Sequence, residues 1–216
     1  MVVQMTTIYL TRHGQTEWNL EGRSQGKLDS KLTELGRKQA QWLAERLQPI
    51  SFDAVYTSTS GRTIETQEII MAGKSVKTTR LEGLCEMDFG SWQGKLWDEV
   101  REENPKRYDD FWKNPSAFEP DCGESYATFV KRVNEALDEI TQKHEGETIL
   151  IVAHGGVLKA IYSQLQNIPL DEFWTQKPYM HSANLTIIER QEGSDTFLLQ
   201  GCIDHYPEQE KAKFDY

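Results

Sequence analysis

Two stretches of the sequence share one layout. IYLTRHG (residues 8–14) and ILIVAHGG (residues 149–156) each run from a short apolar segment straight into His-Gly. The second is apolar and β-branched at nearly every position, the pattern of a strand buried on both faces, and such strands belong to parallel sheets covered by helices. In open α/β sheets, ligands bind beyond the carboxyl ends of the strands. Two histidines leaving two such ends can therefore face each other, however far apart they lie in the chain. A third stretch, VYTSTSGRTIETQEI (55–69), repeats the plan: a strand, a turn of small residues, then Arg62 at a helix start. A helix N-terminus with free N–H groups, joined by an arginine, makes an anion site.

The remaining pattern fits that architecture. Thr6–Thr11 reads as a strand ending at Arg12. Residues 33–48 read as a helix with Thr33 as N-cap, Glu34 in the first turn, and Leu35, Leu43 and Leu47 as an apolar stripe with Trp42 beside it. Asp53–Thr57 is a short strand and 61–71 a helix. The clearest helix is 124–143, where Tyr126, Phe129, Val130, Val133, Leu137 and Ile140 recur at helical spacing. Thr148–Ala153 is a strand and 156–166 a helix. Asn184–Glu189 and Thr196–Ile203 are late strands, separated by Gln191–Asp195, that pair as a hairpin. Strands alternating with helices predict an α/β fold with a mostly parallel sheet. With 216 residues, 38% of them hydrophobic, the chain can bury one sizeable core and is short for two. A single domain over residues 1–216 is expected.

The stretch 88–120 differs from the rest. It carries Phe89, Trp92, Trp97, Tyr108, Phe111, Trp112 and Phe118 together with Pro105, Pro115 and Pro120. It reads as an excursion that packs over the sheet's edge and shapes a pocket. Its acidic run, 98–110, reads as a solvated helix face. Trp92, Trp97 and Trp112 fit either the core or a substrate platform.

The net charge of −10 argues against a nucleic-acid-binding surface, although a local arginine cluster can still hold a small anion. No apolar run reaches the ~18–20 residues that span a bilayer. The opening MVVQMTTIYLTRHG lacks a charged n-region and a cleavage site, which argues against a signal peptide. Cys85, Cys122 and Cys202 are odd in number and widely spaced, as expected of reduced thiols in a cytoplasmic protein. The oligomeric state is left open.

Two arginines, two histidines and a helix terminus at one sheet end make a set suited to phosphoryl transfer: cations on the oxygens and a nucleophile in line with the leaving group. Histidine serves as nucleophile when its ring is neutral and one nitrogen is free. The departing alkoxide then needs a proton. Glu86, set among Leu84, Cys85, Met87 and Phe89, has an apolar neighbourhood of the kind that suits a general acid; Asp88 is its nearest competitor.

RHGQTEWN, with GR-x-QG (22–26), LTELG, TSTSGRTIET, E-x-DFG-x-W-x-G and VAHGG, follow one another in order between about residues 6 and 190. Together they resemble the histidine phosphatase superfamily, and within it the phosphoglycerate-mutase-like phosphatases. That resemblance implies a three-layer α/β/α sandwich and a phosphohistidine intermediate. It places the nucleophile on His13, the phosphate clamp on Arg12, Arg62 and His154, a further phosphate contact on Asn19, a substrate-side contact on Gln25 beside Gly26, and the proton donor on Glu86, with Gly155 following the second histidine. Gln15 to Asn19 would wrap the anion, and Gly14 would let the chain turn away without a side chain in the site. EMDFGSWQG also resembles the α-ribazole phosphatase branch over a short span. The cofactor-dependent mutases of this family carry an adjacent arginine pair after the catalytic glutamate. No Arg-Arg occurs here; the nearest basic pair is Lys106-Arg107. A hydrolase acting on a small phosphomonoester is therefore expected, ahead of a mutase or a non-catalytic phospho-ligand binder.

Other motifs fail on inspection. Asp88-Phe89-Gly90 spells DFG, without a glycine-rich loop or HRD. GSWQGK (90–95) is one residue short of a P-loop. No cysteine has an arginine six residues later, and neither HExxH nor CxxC occurs, so neither a metal nor an organic cofactor is expected. His144, His181 and His205 read as structural or surface residues, with His181 the one placed to approach the site.

Overall fold

The computed structural model describes residues 4–191 and 194–213. The first residues of the opening segment and the tip of the expected hairpin, 192–193, lie outside the described residues. The elements are, in chain order, β1 (Thr6–Arg12), α1 (Glu17–Glu21), α2 (Glu34–Leu47), β2 (Ala54–Thr57), α3 (Gly61–Ile70), β3 (Thr78–Arg80), α4 (Trp97–Glu103), α5 (Pro105–Lys113), α6 (Tyr126–Lys143), β4 (Thr148–Ala153), α7 (Gly155–Leu165), β5 (Leu185–Gln191), β6 (Ser194–Cys202) and α8 (Glu208–Lys211).

The six strands form one mixed sheet in the order β3-β2-β4-β1-β5-β6. The first four are parallel; β5 runs antiparallel to β1, and β6 to β5. The strand β4 sits inside the sheet with Ile149 to Ala153 all buried, as its unbroken apolar sequence required. Its alternate residues serve two cores. Ile149 and Ile151 join Ile8 and Leu10 against α6 and α7, through Phe129, Val133, Leu137, Val157 and Ile161. Leu150 and Val152 join Val55 against α2 and α3, through Leu43, Leu47 and Ile70. Helices on both faces of the sheet make the expected three-layer sandwich.

The expected cap forms: Thr33 accepts a hydrogen bond from the Gly36 N–H at 2.9 Å to start α2. Helix α6 begins two residues later than expected, at Tyr126, where Ser125 caps it by accepting from Thr128 N–H at 3.2 Å. β3 was not anticipated: three polar, partly exposed residues carry no apolar period. Nor was α1, five residues closed by a capping box between Thr16 and Asn19.

The excursion departs from its expected seat. Its acidic run forms two helices broken at Asn104-Pro105, where the Asn104 side chain caps α5, and its carboxylates face solvent except that of Asp110, which is largely covered. Its rings pack on Tyr126 at the start of α6 and on Trp174, rather than over an edge strand: Phe111 lies 5.4 Å from Tyr126, and Trp112 4.9 Å from Trp174. A sheet edge offers few apolar side chains, whereas the start of α6 presents Tyr126 and Phe129 to a ready-made aromatic cluster.

Candidate active site

Strand register brings the two histidines together. Arg12 pairs with Ala153 in adjacent parallel strands, so His13 and His154 leave the sheet side by side. Their rings meet edge to face with centroids 5.3 Å apart. The imidazole Nδ1 of His13 lies 2.7 Å from the Gly14 carbonyl oxygen. A carbonyl only accepts, so Nδ1 carries the hydrogen and Nε2 keeps its lone pair. Burial, with the Arg62 and Arg12 charges, holds His13 well below its ordinary pKa of 6.5. The ring is thus neutral at physiological pH, with one bare nitrogen.

Gly14 earns its place differently from the sequence expectation. A Cβ there would run into the backbone of Gly36 in α2, and a Cβ on Gly36 would run into Gln15. The two glycines let the chain beyond β1 lie directly on α2, so the residue is needed for packing and not for clearing the site. Gln15 is drawn the same way: its N–H donates to Gln39 Oε1 at 2.9 Å and its carbonyl accepts from Thr33 N–H at 2.9 Å. Of the segment from Gln15 to Asn19 only Asn19 reaches the cavity.

That cavity has a volume of about 370 Å³ and lies over the strand ends. Arg12, His13, Asn19, Gln25, Gly26, Arg62, Glu86 and Gly155 all line it, as the sequence expected. His154 does not; it is fully buried beside His13, and its Nε2 lies 2.8 Å from Ser58 Oγ. Among the described residues, Arg12 Nε, Arg62 Nε and His154 Nδ1 are buried without hydrogen-bond partners. Buried polar atoms are normally paired; orphaned N–H groups on the two arginines that line the cavity mark where a ligand's acceptors belong.

Arg62 is held by residues 26–29 of the loop between α1 and α2. Its Nη1 donates to the Leu28 carbonyl at 2.7 Å and to Asp29 at 2.9 Å, and Nη2 to the Gly26 carbonyl at 2.9 Å. Asp29 also accepts from the Arg62 N–H at 3.3 Å. The N-terminus of α3 is therefore occupied by the protein's own carboxylate, which corrects the expectation that it receives the anion directly. Arg12 donates from Nη1 to the Met180 carbonyl at 2.7 Å.

Glu86 sits on the start of α7. One carboxylate oxygen accepts from Gly156 N–H at 3.1 Å and the other from Met87 N–H at 3.0 Å. A Cβ on residue 156 would collide with this carboxylate. The neighbours Leu84, Cys85 and Met87 are buried in the core while Glu86 faces the cavity. Arg132 of α6 clamps the segment from behind, donating to the Gly83 and Cys85 carbonyls at 3.0 Å each and to Glu124 at 2.8 Å. Asp88 turns away to accept from Gly90 N–H at 2.9 Å.

The tryptophans divide: Trp92 is core, 2% exposed, while Trp97 and Trp112 line the cavity. His144 bonds Tyr56 and Glu147 at 2.7 and 2.6 Å, and His205 bonds the Ala183 carbonyl at 2.9 Å. His181 packs against Tyr179 with its ring tilted, centroids 4.8 Å apart, without lining the cavity. Sequence reasoning missed Arg23, Lys159, Trp174, Tyr179 and Met180 in the lining. Lys159 had a signal, four residues after Gly155 on a helix; the others lie in stretches with no usable period. Among the described residues, no group of three His, Cys, Asp or Glu side chains is placed to hold a metal ion, and no helix is long and apolar enough to cross a membrane.

A profile of the histidine phosphatase superfamily (branch 1) matches residues 8–202. The chain is 32% identical over 204 residues to phosphoserine phosphatase 1 of Hydrogenobacter thermophilus, covering 94% of this chain and 96% of that one. It is 39% identical over 170 residues to the metal-independent phosphoserine phosphatase of Arabidopsis thaliana, covering 75% and 69%. Among solved structures, Bacillus stearothermophilus YhfR superposes with a TM-score of 0.90 at 44% identity, over 93% of this chain and 98% of that one.

Proposed function

Starting from the chain's membership of the histidine phosphatase superfamily, we propose that it hydrolyses small organic phosphomonoesters in two steps through a phosphohistidine on His13. The observation that carries this reading is the imidazole of His13, neutral, with Nε2 bare, in one cavity with two arginines and a carboxylate. The substrate's phosphoryl oxygens take the orphaned Nε–H groups of Arg12 and Arg62, with Asn19 and Gly155 beside them. With the Ser58 hydroxyl donating to Nε2, His154 presents Nδ1–H as a further donor. His13 Nε2 attacks phosphorus while Glu86 gives its proton to the leaving oxygen. Water then attacks the phosphohistidine, Glu86 takes its proton, and inorganic phosphate leaves. The arginines stabilise charge on the transferring group in both steps.

Hydrolysis is favoured over mutase chemistry by the state of the covering cations. Lys95, Arg101, Lys106, Arg107 and Lys113 are each paired with a carboxylate of the excursion or its end, so none is left to hold a bisphosphate. Relatives whose names say phosphoserine phosphatase support the same direction. We read residues 1–216 as one domain with 88–120 as its cover. Its free cysteines, Cys122 exposed among them, support a reducing compartment such as the cytoplasm, and its net charge of −10 supports a small-molecule partner over nucleic acid.

The test is an alkaline quench of a running reaction, which preserves phosphohistidine, with phosphorus NMR of the products from 3-phosphoglycerate. Label on His13, its absence in His13→Ala, and release of inorganic phosphate are expected. Formation of 2-phosphoglycerate faster than phosphate would overturn the hydrolase.

A further inference from the structure

Glu86 lies in residues 85–89, a stretch without helix or strand. Such a stretch has no hydrogen-bond ladder of its own, yet a group that takes part in proton transfer must be closely placed, since a misplacement of about 1 Å can cost roughly 10²-fold. The missing bonds come from α6 and the residues just before it. Arg132 donates from Nη1 to the carbonyls of Glu82, Gly83 and Cys85 at 3.2, 3.0 and 3.0 Å, and its Nη2 reaches the Glu86 carbonyl at 3.5 Å. The same guanidinium forks onto both carboxylate oxygens of Glu124 at 2.8 Å each, the geometry in which an arginine holds an anion most firmly.

Glu124 takes the far end of the stretch. Its Oε2 accepts from the Asp88 N–H at 2.9 Å, and its own N–H donates to the Asp88 carbonyl at 2.9 Å. Contacts at both ends leave no slack: a Cβ on Gly123 would strike the Asp88 carbonyl, and one on Gly83 would strike Ala136 of α6. Burial pushes the Glu124 carboxyl up, but hydrogen bonds from Arg132 and the Asp88 N–H and the Arg132 charge outweigh it, so the pair stays ionised at neutral pH. The pair also separates two acids that are neighbours in sequence. With both backbone groups of Asp88 taken by Glu124, and its carboxylate on the Gly90 N–H at 2.9 Å, the chain presents Glu86 and not Asp88 to the cavity.

We propose that Arg132 and Glu124 are positioning residues for the proton donor: their ion pair holds Glu86 at the leaving oxygen and keeps Asp88 away from it. Neither lines the cavity, so both act through Glu86. This role rests on the acid function of Glu86 proposed above.

The test compares glycerol phosphate, whose alkoxide needs a proton to leave, with p-nitrophenyl phosphate, whose aryl oxide does not. Arg132→Gln should lower kcat for glycerol phosphate by roughly tenfold or more, within the ~10²–10⁴-fold that general acid catalysis supplies, and should lower kcat for p-nitrophenyl phosphate by a much smaller factor. Arg132→Lys keeps the charge without the fork and should recover part of the glycerol phosphate rate. In a Glu86→Gln background, Arg132→Gln should add little further loss on glycerol phosphate, because groups acting on one path are not additive. Equal slowing of both esters by Arg132→Gln, or its full loss repeated in the Glu86→Gln background, would make the pair a general support of the fold and overturn the inference. If Arg132→Gln does not fold, Glu124→Gln, nearly the same in shape, carries the same comparison, and equal slowing there overturns the inference likewise. Glu86→Gln by itself separates the premise from the proposal. If it slows both esters equally, the acid role falls and the positioning role with it; if it splits them while the Arg132 and Glu124 variants do not, only the positioning role falls.

Discussion

Arg12, His13, Arg62 and His154 form the floor of the cavity region, and each leaves a strand end or a helix start. Backbone holds them: a strand register, a Gly14–Gly36 contact, the carbonyls of residues 26, 28 and 180. The cover over residues 88–120 is held by rings instead. Phe111 alone meets Phe89, Trp92, Trp97, Trp112, Phe118, Tyr126 and Trp174 within 5.8 Å between centroids. Backbone contacts fix an atom's position to a fraction of an ångström, which a nucleophile needs. Ring packing fills volume and tolerates exchange, which a leaving-group pocket needs. The floor should therefore govern kcat for every substrate, and the cover should govern which substrates are held.

The sharpest probe of this division is Glu86, which joins the two regions. Glu86→Gln keeps the shape but removes the proton donor. Hydrolysis of alkyl esters should fall by ~10²–10⁴-fold, the usual share of general acid catalysis. p-Nitrophenyl phosphate should fall far less, since an aryl oxide leaves without a proton. Steady-state rates on both substrates decide it; equal slowing would assign the acid to another group.

Acid should weaken the floor before the cover. Burial lowers His13 and His154 well below 6.5, and burial first among several causes brings His205 to about 4. Below pH 6.5 the unfolded chain binds protons that these folded imidazoles refuse, so stability falls as pH drops. His205 alone should cost roughly 3 kcal/mol between pH 6.5 and 4. At the end of the cover, burial pushes Asp121 up, but hydrogen bonds from Ser91 and Cys122 and the Arg107 charge outweigh it and hold it at about 2. Its depressed pKa contributes stability that is lost only as pH falls through that value. Thermal unfolding from pH 6.5 to 4.5 should show a falling midpoint whose slope His205→Gln reduces, leaving the share of His13 and His154, and Asp121→Asn does not. A midpoint that stays level across this range in the wild type would contradict the assignment.

The smallest effect belongs to the cover. Trp112→Phe keeps a ring and loses part of its contact with Trp97 and Trp174. KM for naphthyl phosphate should rise roughly 2- to 10-fold, in keeping with one aromatic contact, with kcat changing by a smaller factor. A loss confined to kcat would mean that the cover takes part in the chemistry and would erase the distinction drawn between the regions.

Much of the site was legible before the fold was known, and the reason is local. A strand that runs into Arg-His-Gly, another into His-Gly-Gly, and a helix that opens on Gly-Arg carry both their secondary structure and their chemistry within a few residues. Glu86 was legible from its motif. Asp29, which fills the start of α3, sits in a turn where nothing local tells a structural carboxylate from a solvated one. The role of Gly14 was misread because its partner, Gly36, lies in another element.

The sequence by itself determined the alternation of strands and helices, the mostly parallel sheet and which arginines and histidines leave its strand ends, because periodicity and local motif are properties of short windows. Only the tertiary structure decided that Arg12 and Ala153 pair in register, so that His13 meets His154. It alone decided that Arg62 is aimed by three distant acceptors, that the covering cations pair with carboxylates, and that Lys159 is buried beside the site on two carbonyls, with no carboxylate partner among the described residues. Those outcomes depend on distances between residues remote in sequence, and on which charges find partners once water is excluded, and no local window contains either.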